Sequence, residues 1–324
     1  MILRTQVLFI LFLLGVCNSD AQEFHADMTS EVETDFKRRT NWLNLLRLSL
    51  SVKLAPNLHF DASTLSLWQT RESGVSDDYQ TFSNIFADNM LIAPAVLGLC
   101  WEKEGSKLFV GVQKADDVFI NYHASGLFTN SSSATYPTMS MNSSIPVHPA
   151  SAFGIYYAYS SKGWTAKAAV YNGKAGNKFT GRDNSFRICP KSDGVLSLCT
   201  VDYCTNNNVY MLGGYFYRAR TAVLGYVEQS VSPSTSLVVE ASVSPSCHAE
   251  CKSYVAGGLT QSIKKTELGL ITNYVRLADG KEWTIEGTAK VLFMENLYVQ
   301  PAVDLIVTDG KTNVVGLLRA GYSL

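Results

Sequence analysis

The 324-residue chain is 46% hydrophobic and 17% charged, and its formal net charge is −1. That balance argues against nucleic acid as a partner, because phosphate binding draws on a clear basic excess. Beyond the N-terminal region no stretch reaches the ~18 apolar residues of a spanning helix; the longest candidate, Met90 to Trp101, is shorter and carries Pro94 inside it.

The N-terminus reads as an export signal. Arg4 precedes the apolar run Val7 to Val16, and Ser19-Asp20-Ala21 supplies a small-x-small cleavage pattern, so residues 1–21 are expected to be removed and Gln22 to begin the mature chain. A lipoprotein anchored at Cys17 is the alternative, for which Val16 is a poor neighbour. An exported chain meets an oxidising compartment, where Cys100, Cys189, Cys199, Cys204, Cys247 and Cys251 could pair. Cys247 and Cys251 are close together in a polar stretch after Pro245 and are expected to form a local disulfide. The competing reading, half a zinc site, lacks a second half.

From there the chain shows period-two alternation with no credible long helix between. In chain order the alternating segments are 23–32, 44–54, 57–69, 90–102, 107–114, 152–160, 164–172, 194–204, 209–218, 221–230, 236–244, 253–262, 266–277, 282–293, 297–307 and 312–324. In the second of them Leu46, Leu48, Leu50, Val52 and Leu54 alternate with Arg47, Ser49, Ser51 and Lys53. A helix would put Arg47, Ser51 and Leu54 on one stripe; a strand puts five apolar groups on one face. Segment 164–172 sets Trp164, Ala166, Ala168 and Val170 against Thr165, Lys167 and Tyr171, and segment 282–293 has Thr284, Glu286, Thr288 and Lys290 as its polar face. Most segments run about 9–12 residues, the length of a tilted strand crossing a hydrocarbon layer.

The connections segregate. Every other one is very short, whereas the intervening set holds the long ones: about 20 residues after Trp68, about 37 after Lys114 and about 21 after Asn172. Short turns at one end and long loops at the other describe an all-β, transmembrane antiparallel β-barrel of sixteen strands, residues 22–324, in a bacterial outer membrane with its short turns in the periplasm. A soluble sandwich has no reason to sort its connections this way.

The polar strand faces admit two readings, an exterior in water or a wet lumen. A cylinder of this many strands is too wide to fill with side chains, which favours the lumen. Arg47, Lys53, Lys167, Glu240, Glu286, Lys290, Gln300, Asp304 and Arg319 are then expected to line the pore, since an Arg or Lys on lipid at mid-membrane costs roughly 2–4 kcal/mol. Tyr171 and Tyr298 are candidates for stacking on a solute ring, or plain girdle aromatics. The segment 115–151 is too apolar to stay extended in water, with Phe119, Leu127, Phe128, Tyr136 and Met139 among its residues. It is expected to fold into the barrel and narrow the passage with Asp116, Asp117 and Asn130; an external cap or a subunit contact are the alternatives.

No catalytic or cofactor constellation is present: there is no phosphate loop, no nucleophile elbow and no metal-spaced histidine pair among His25, His59, His123, His148 and His248. The sequence suggests no enzyme, no cofactor and no metal.

Several short elements, taken in order, resemble the carbohydrate-selective (OprB-type) porin family. They are Tyr79-Gln80-Thr81-Phe82-Ser83-Asn84-Ile85, the stretch Gly111 to Phe119, Gly126-Leu127-Phe128-Thr129-Asn130-Ser131-Ser132, Gly213-Gly214-Tyr215-Phe216-Tyr217, Glu228-Gln229, Ile285-Glu286-Gly287-Thr288 and Val299-Gln300-Pro301. The resemblance implies a sixteen-stranded porin admitting sugars and similar neutral solutes without cofactor or energy coupling. The chain departs from the family in its trimmed early strands and loops, its cysteines and its non-aromatic end at Leu324. Three functions stay open: a sugar-preferring porin, a general small-solute porin, and a structural or binding barrel of a larger outer-membrane assembly or homo-oligomer.

Overall fold

The computed structural model describes residues 22–178 and 183–324; the expected signal segment 1–21 lies outside the described residues. Period-two alternation becomes one sheet: β1 (Gln22–Thr34), β2 (Thr40–Ala55), β3 (Leu58–Gln69), β4 (Met90–Lys103), β5 (Ser106–Gln113), β6 (Ala152–Ser161), β7 (Trp164–Asn172), β8 (Val195–Cys204), β9 (Asn208–Tyr217), β10 (Arg220–Ser232), β11 (Thr235–Val243), β12 (Cys251–Ile263), β13 (Thr266–Leu277), β14 (Lys281–Met294), β15 (Leu297–Thr308) and β16 (Lys311–Ser323). Each strand pairs with its sequence neighbours, and β1 pairs antiparallel with β16 to close the barrel, with Glu31 opposite Arg319 across the seam. Closure removes the two long free edges that an open sheet would present to lipid.

The two readings of the polar face are now separated. Leu212, Leu270, Val303 and Leu318 on the outer surface are exposed, while Glu31, Glu240, Glu286 and Asp304 are buried on the inner wall. A water-soluble barrel would have the opposite arrangement. Exposed aromatics gather near both rims, with Trp42, Trp68 and Trp283 at the long-loop end and Trp101, Trp164 and Phe293 at the other. These are the girdles of a membrane barrel.

Turn chemistry sets the short end. Glu104-Gly105 and Lys162-Gly163 both hold positive φ (49° and 81°; 50° and 83°), the left-handed pair that matches strand twist in a two-residue hairpin. Pro94 inside β4 cannot donate to the ladder, and the strand bulges there: pairing with β3 jumps from Ser63–Val96 to Thr64–Pro94.

Of the long connections, loop L2 (70–89) and loop L3 (114–151) carry most of what is not strand inside the barrel. L3 contains the short helices Asp116–Phe119, Ser131–Ala134 and Pro137–Ser140. Its Phe119, Phe128, Tyr136 and Met139 are at most 1% exposed, packed against Tyr156, Leu198, Leu224 and Tyr254 of the inner wall. Each such side chain contributes about 1.5–3 kcal/mol by leaving water. L2 packs Val75 and Phe82 on Ile306, Val315 and Leu317 of β15 and β16.

Candidate lumen site

The course of L3 follows from its hydrogen bonds. Asp117 meets Arg47 of β2, Tyr122 reaches Asp202 of β8, and the Ala124 amide donates to Glu228 of β10. Gln300 of β15 donates to the Leu127 carbonyl, and Glu286 of β14 accepts from the Thr129 amide and hydroxyl and the Asn130 amide. Further along, Thr138 donates to Ser242 of β11, and Asn142 holds both backbone groups of Cys251 on β12. A segment touching strands on opposite sides of a closed cylinder reaches them only from within.

The inner wall thus divides in two. On the arc from β6 to β15 the wall is covered. Tyr171 is 1% exposed and accepts a hydrogen bond from Gln113, so no solute ring can stack on it. Asn130 caps the helix Ser131–Ala134 through the Ser132 amide and is fully buried. Glu240 accepts from the Tyr254 hydroxyl, and Glu286 and Gln300 are taken up by L3. Asp304, across the strand pair from Glu286, is buried, and Lys167 is drawn to Asp202 at 2.6 Å. These sequence-expected lining residues face inward but lie under L3 and L2, away from water.

On the remaining arc, β1 to β5, polar groups meet open space. Arg47 and Asp117 pair at 3.0 Å with side chains 32% and 27% exposed. Lys114 bonds both Asp116 and Asp117 from beneath. Burial pushes the Asp116 carboxyl up, whereas at Asp117 the same burial is outweighed by Lys114 and Arg47, which hold it below the usual carboxylate range. Burial together with the Lys114 charge depresses His148 to about 3, so its imidazole stays neutral, 3.2 Å from the Ile85 carbonyl of L2. Lys53 is exposed at the short-turn end. Outside this arc, at the short-turn end of β14 and β15, Lys290 stands over the half-buried Tyr298 ring at 4.5 Å, which makes that tyrosine a cation–π partner. Arg319, expected from the sequence to line the pore, is instead buried on β16, where it bonds Glu31 at 2.7 Å and Asn84 of L2 at 2.9 Å. Sequence reasoning missed Glu31 and Asn84, whose shared partner Arg319 lies far away in the chain, and Lys114, whose partners Asp116 and Asp117 are close by.

Two polar cavities sit on this side. One of about 220 Å³ lies between L2 and L3, bounded by Thr81, Asn84, Ser131, Thr135 and His148. The other, about 510 Å³, is at the short-turn end of β1–β5. The expected Cys247–Cys251 bridge is not formed, and the six cysteines of the described residues are free thiols. Cys251 begins β12 with its sulfur turned inward under L3, whereas Cys247 stays on the exposed loop. Among the described residues no group of acids, cysteines and histidines could hold a metal.

No protein-family model matches the chain, and no curated protein sequence matches it. Solved structures do. Pseudomonas putida OprB at high pH superposes with TM-score 0.81 at 12% identity, covering 94% of each chain. A triple mutant of Rhodopseudomonas blastica porin gives TM-score 0.60 at 11% identity over 94% of this chain and 100% of that one. A loop-deleted OmpT, an outer membrane protein of Vibrio cholerae, gives 0.61 at 12% identity, covering 94% and 99%. At such identities the likeness establishes architecture, and the architecture is the closed sixteen-stranded porin barrel.

Proposed function

We propose that the chain is a bacterial outer-membrane porin through which small hydrophilic solutes, carbohydrates among them, diffuse passively. The observation that carries this reading is the Arg47–Asp117 pair, which faces open space between the barrel wall and an inward loop, in a cylinder whose exterior is apolar. A passage along β1–β5 would narrow at that pair, with polar cavities on either side of it. The sugar preference draws on the likeness of the fold to OprB and on the ordered short elements that resemble those of carbohydrate-selective porins.

Purified protein in planar bilayers, followed by liposome swelling with sugars of increasing size, tests the proposal. The expected outcome is stepwise ohmic conductance and swelling with monosaccharides. Deleting Gly126 to Ser144 should raise conductance and admit larger oligosaccharides. A folded barrel that neither conducts nor admits sugars would instead be a structural or binding subunit. Equal passage of sugars and of other neutral solutes of the same size would leave a general porin.

A further inference from the structure

The cavity at the short-turn end differs chemically from the rest of the lumen. No Phe, Tyr or Trp ring lines it, and its boundary runs along the ends of β1 to β5. Part of its polar wall is already satisfied: Ser51 donates to Asp61 at 2.7 Å, and Lys107 pairs with Glu102 at 2.7 Å. Besides the unpartnered Gln22 side-chain oxygen, what is left over includes charge of both signs. Among the described residues, the side chains of Glu23, Lys53 and His59 make no hydrogen bond or ion pair, and all three border the cavity. Their placement follows from register. Lys53 stands directly across from His59, and Glu23 is across from Ser51, two residues along β2 from Lys53. Direct cross-strand neighbours lie about 4.5–5.5 Å apart at Cβ and diagonal ones about 7–8 Å, so an unpaired carboxylate and an unpaired ammonium border the one cavity from adjacent strands.

We propose that this cavity is a binding subsite for small zwitterions such as free α-amino acids: Lys53 and His59 take the ligand's carboxylate, and Glu23 takes its ammonium. A sugar is a poorer fit, because its ring finds no Tyr, Trp or Phe face to stack on and its neutral hydroxyls leave the charges of Glu23 and Lys53 uncompensated. A lone anion or cation satisfies only one half of the site. The volume, about 510 Å³, admits such a ligand with water around it. The inference rests on the porin reading only for how the ligand arrives.

Calorimetric titration of the purified full barrel in detergent tests it, with L-serine, glucose, acetate and methylammonium as separate probes. L-serine should bind measurably and the other three much more weakly. Lys53→Met and Glu23→Gln should each weaken serine binding about tenfold, the scale of one solvated charge contact, and Lys53→Arg should retain it. Heat-modified gel mobility checks that each variant is folded. Binding of glucose or acetate as tight as that of serine overturns the proposal, and so does undiminished serine binding in the folded Lys53→Met and Glu23→Gln variants. Conductance of the same preparations reports separately on the pore: a non-conducting barrel that binds serine sinks the porin reading alone, and a conducting one that does not bind serine sinks the subsite alone.

Discussion

Arg47 on β2 and Asp117 in the first helix of L3 meet at 3.0 Å, and this one ion pair ties wall to loop on the side of the lumen that is not packed shut. Neutralising either partner should shift the ion preference of the pore in opposite directions. Asp117→Asn leaves Arg47 uncompensated and should favour anions; Arg47→Ala should favour cations. Both side chains are about a third exposed, so losing their mutual pair should change stability by no more than about 1 kcal/mol, and Asp117→Asn should cost more than Arg47→Ala because it also weakens the bond to the buried Lys114. Reversal potentials in a potassium chloride gradient read the effect, and shifts of the same sign in both variants would refute it.

Glu286 accepts three hydrogen bonds from Thr129 and Asn130 while fully buried, so it should be a main anchor of L3. Glu286→Ala strands two buried amides and is expected to weaken loop docking by about 2–4 kcal/mol, with Glu286→Gln in between. Hydrogen exchange at the Thr129 and Asn130 amides should accelerate accordingly. Protection equal to the native protein in the alanine variant would show that apolar packing alone holds the loop.

L2 should dock more firmly in mild acid. Burial, then the nearby charge of Glu282, pushes the Asp78 carboxyl up to about 6, above its ordinary 3.8. A carboxyl raised in the docked state binds its proton more tightly there, so docking gains as pH falls through about 6 and loses as pH rises past it. Tyr79 and Gln80 donate their amides to Glu282, and their exchange, corrected for intrinsic rate, reports on docking. Asp78→Asn should remove the pH dependence and leave the loop docked on the alkaline side. A variant with the native pH profile would exclude Asp78 as its source.

The native thiols map the topology without mutagenesis. Cys247 is exposed in the loop before β12, Cys199 is exposed on the outer face of β8, and Cys204 lies at the short-turn end. On intact cells a bulky, membrane-impermeant maleimide should modify Cys247 and spare Cys199 in lipid and Cys204 on the periplasmic side. A small lipid-soluble reagent should reach Cys199. Surface labelling of Cys204 in place of Cys247 would invert the orientation.

Every strand was legible from the sequence because one side of each faces an apolar medium, and that imposes period two on residues such as Leu46 to Leu54. The end-sorting of the connections was legible too, although half of the long-loop end proves short, as at 218–219 and 309–310. Alternation tells which way a side chain points but not what later covers it. Tyr171 and Lys53 carry the same signal, yet one is sealed under L3 and the other opens on a cavity. Nor does periodicity announce partners: Arg319 and Glu31 are 288 residues apart in the chain and touch only because the barrel closes. The structure leaves Cys247 and Cys251 as free thiols for a related reason, since nearness in sequence says nothing of a thiol that a strand start turns inward.

The β1–β16 seam has a consequence for how the molecule is made. Every other strand pairing is between neighbours in the chain and can zip as the chain is delivered, but the seam must wait for the last strand. L3 waits as well, because its anchors at Glu286 and Gln300 lie 157 and 173 residues downstream. Until β14 and β15 arrive, the aromatic face of L3 and the half-built wall beneath it both lack part of their cover. Such late, long-range contacts slow folding and leave aggregation-prone intermediates. The seam and the loop should therefore set the rate of assembly, and this barrel should depend on escort across the periplasm more heavily than one whose interior is filled by local hairpins.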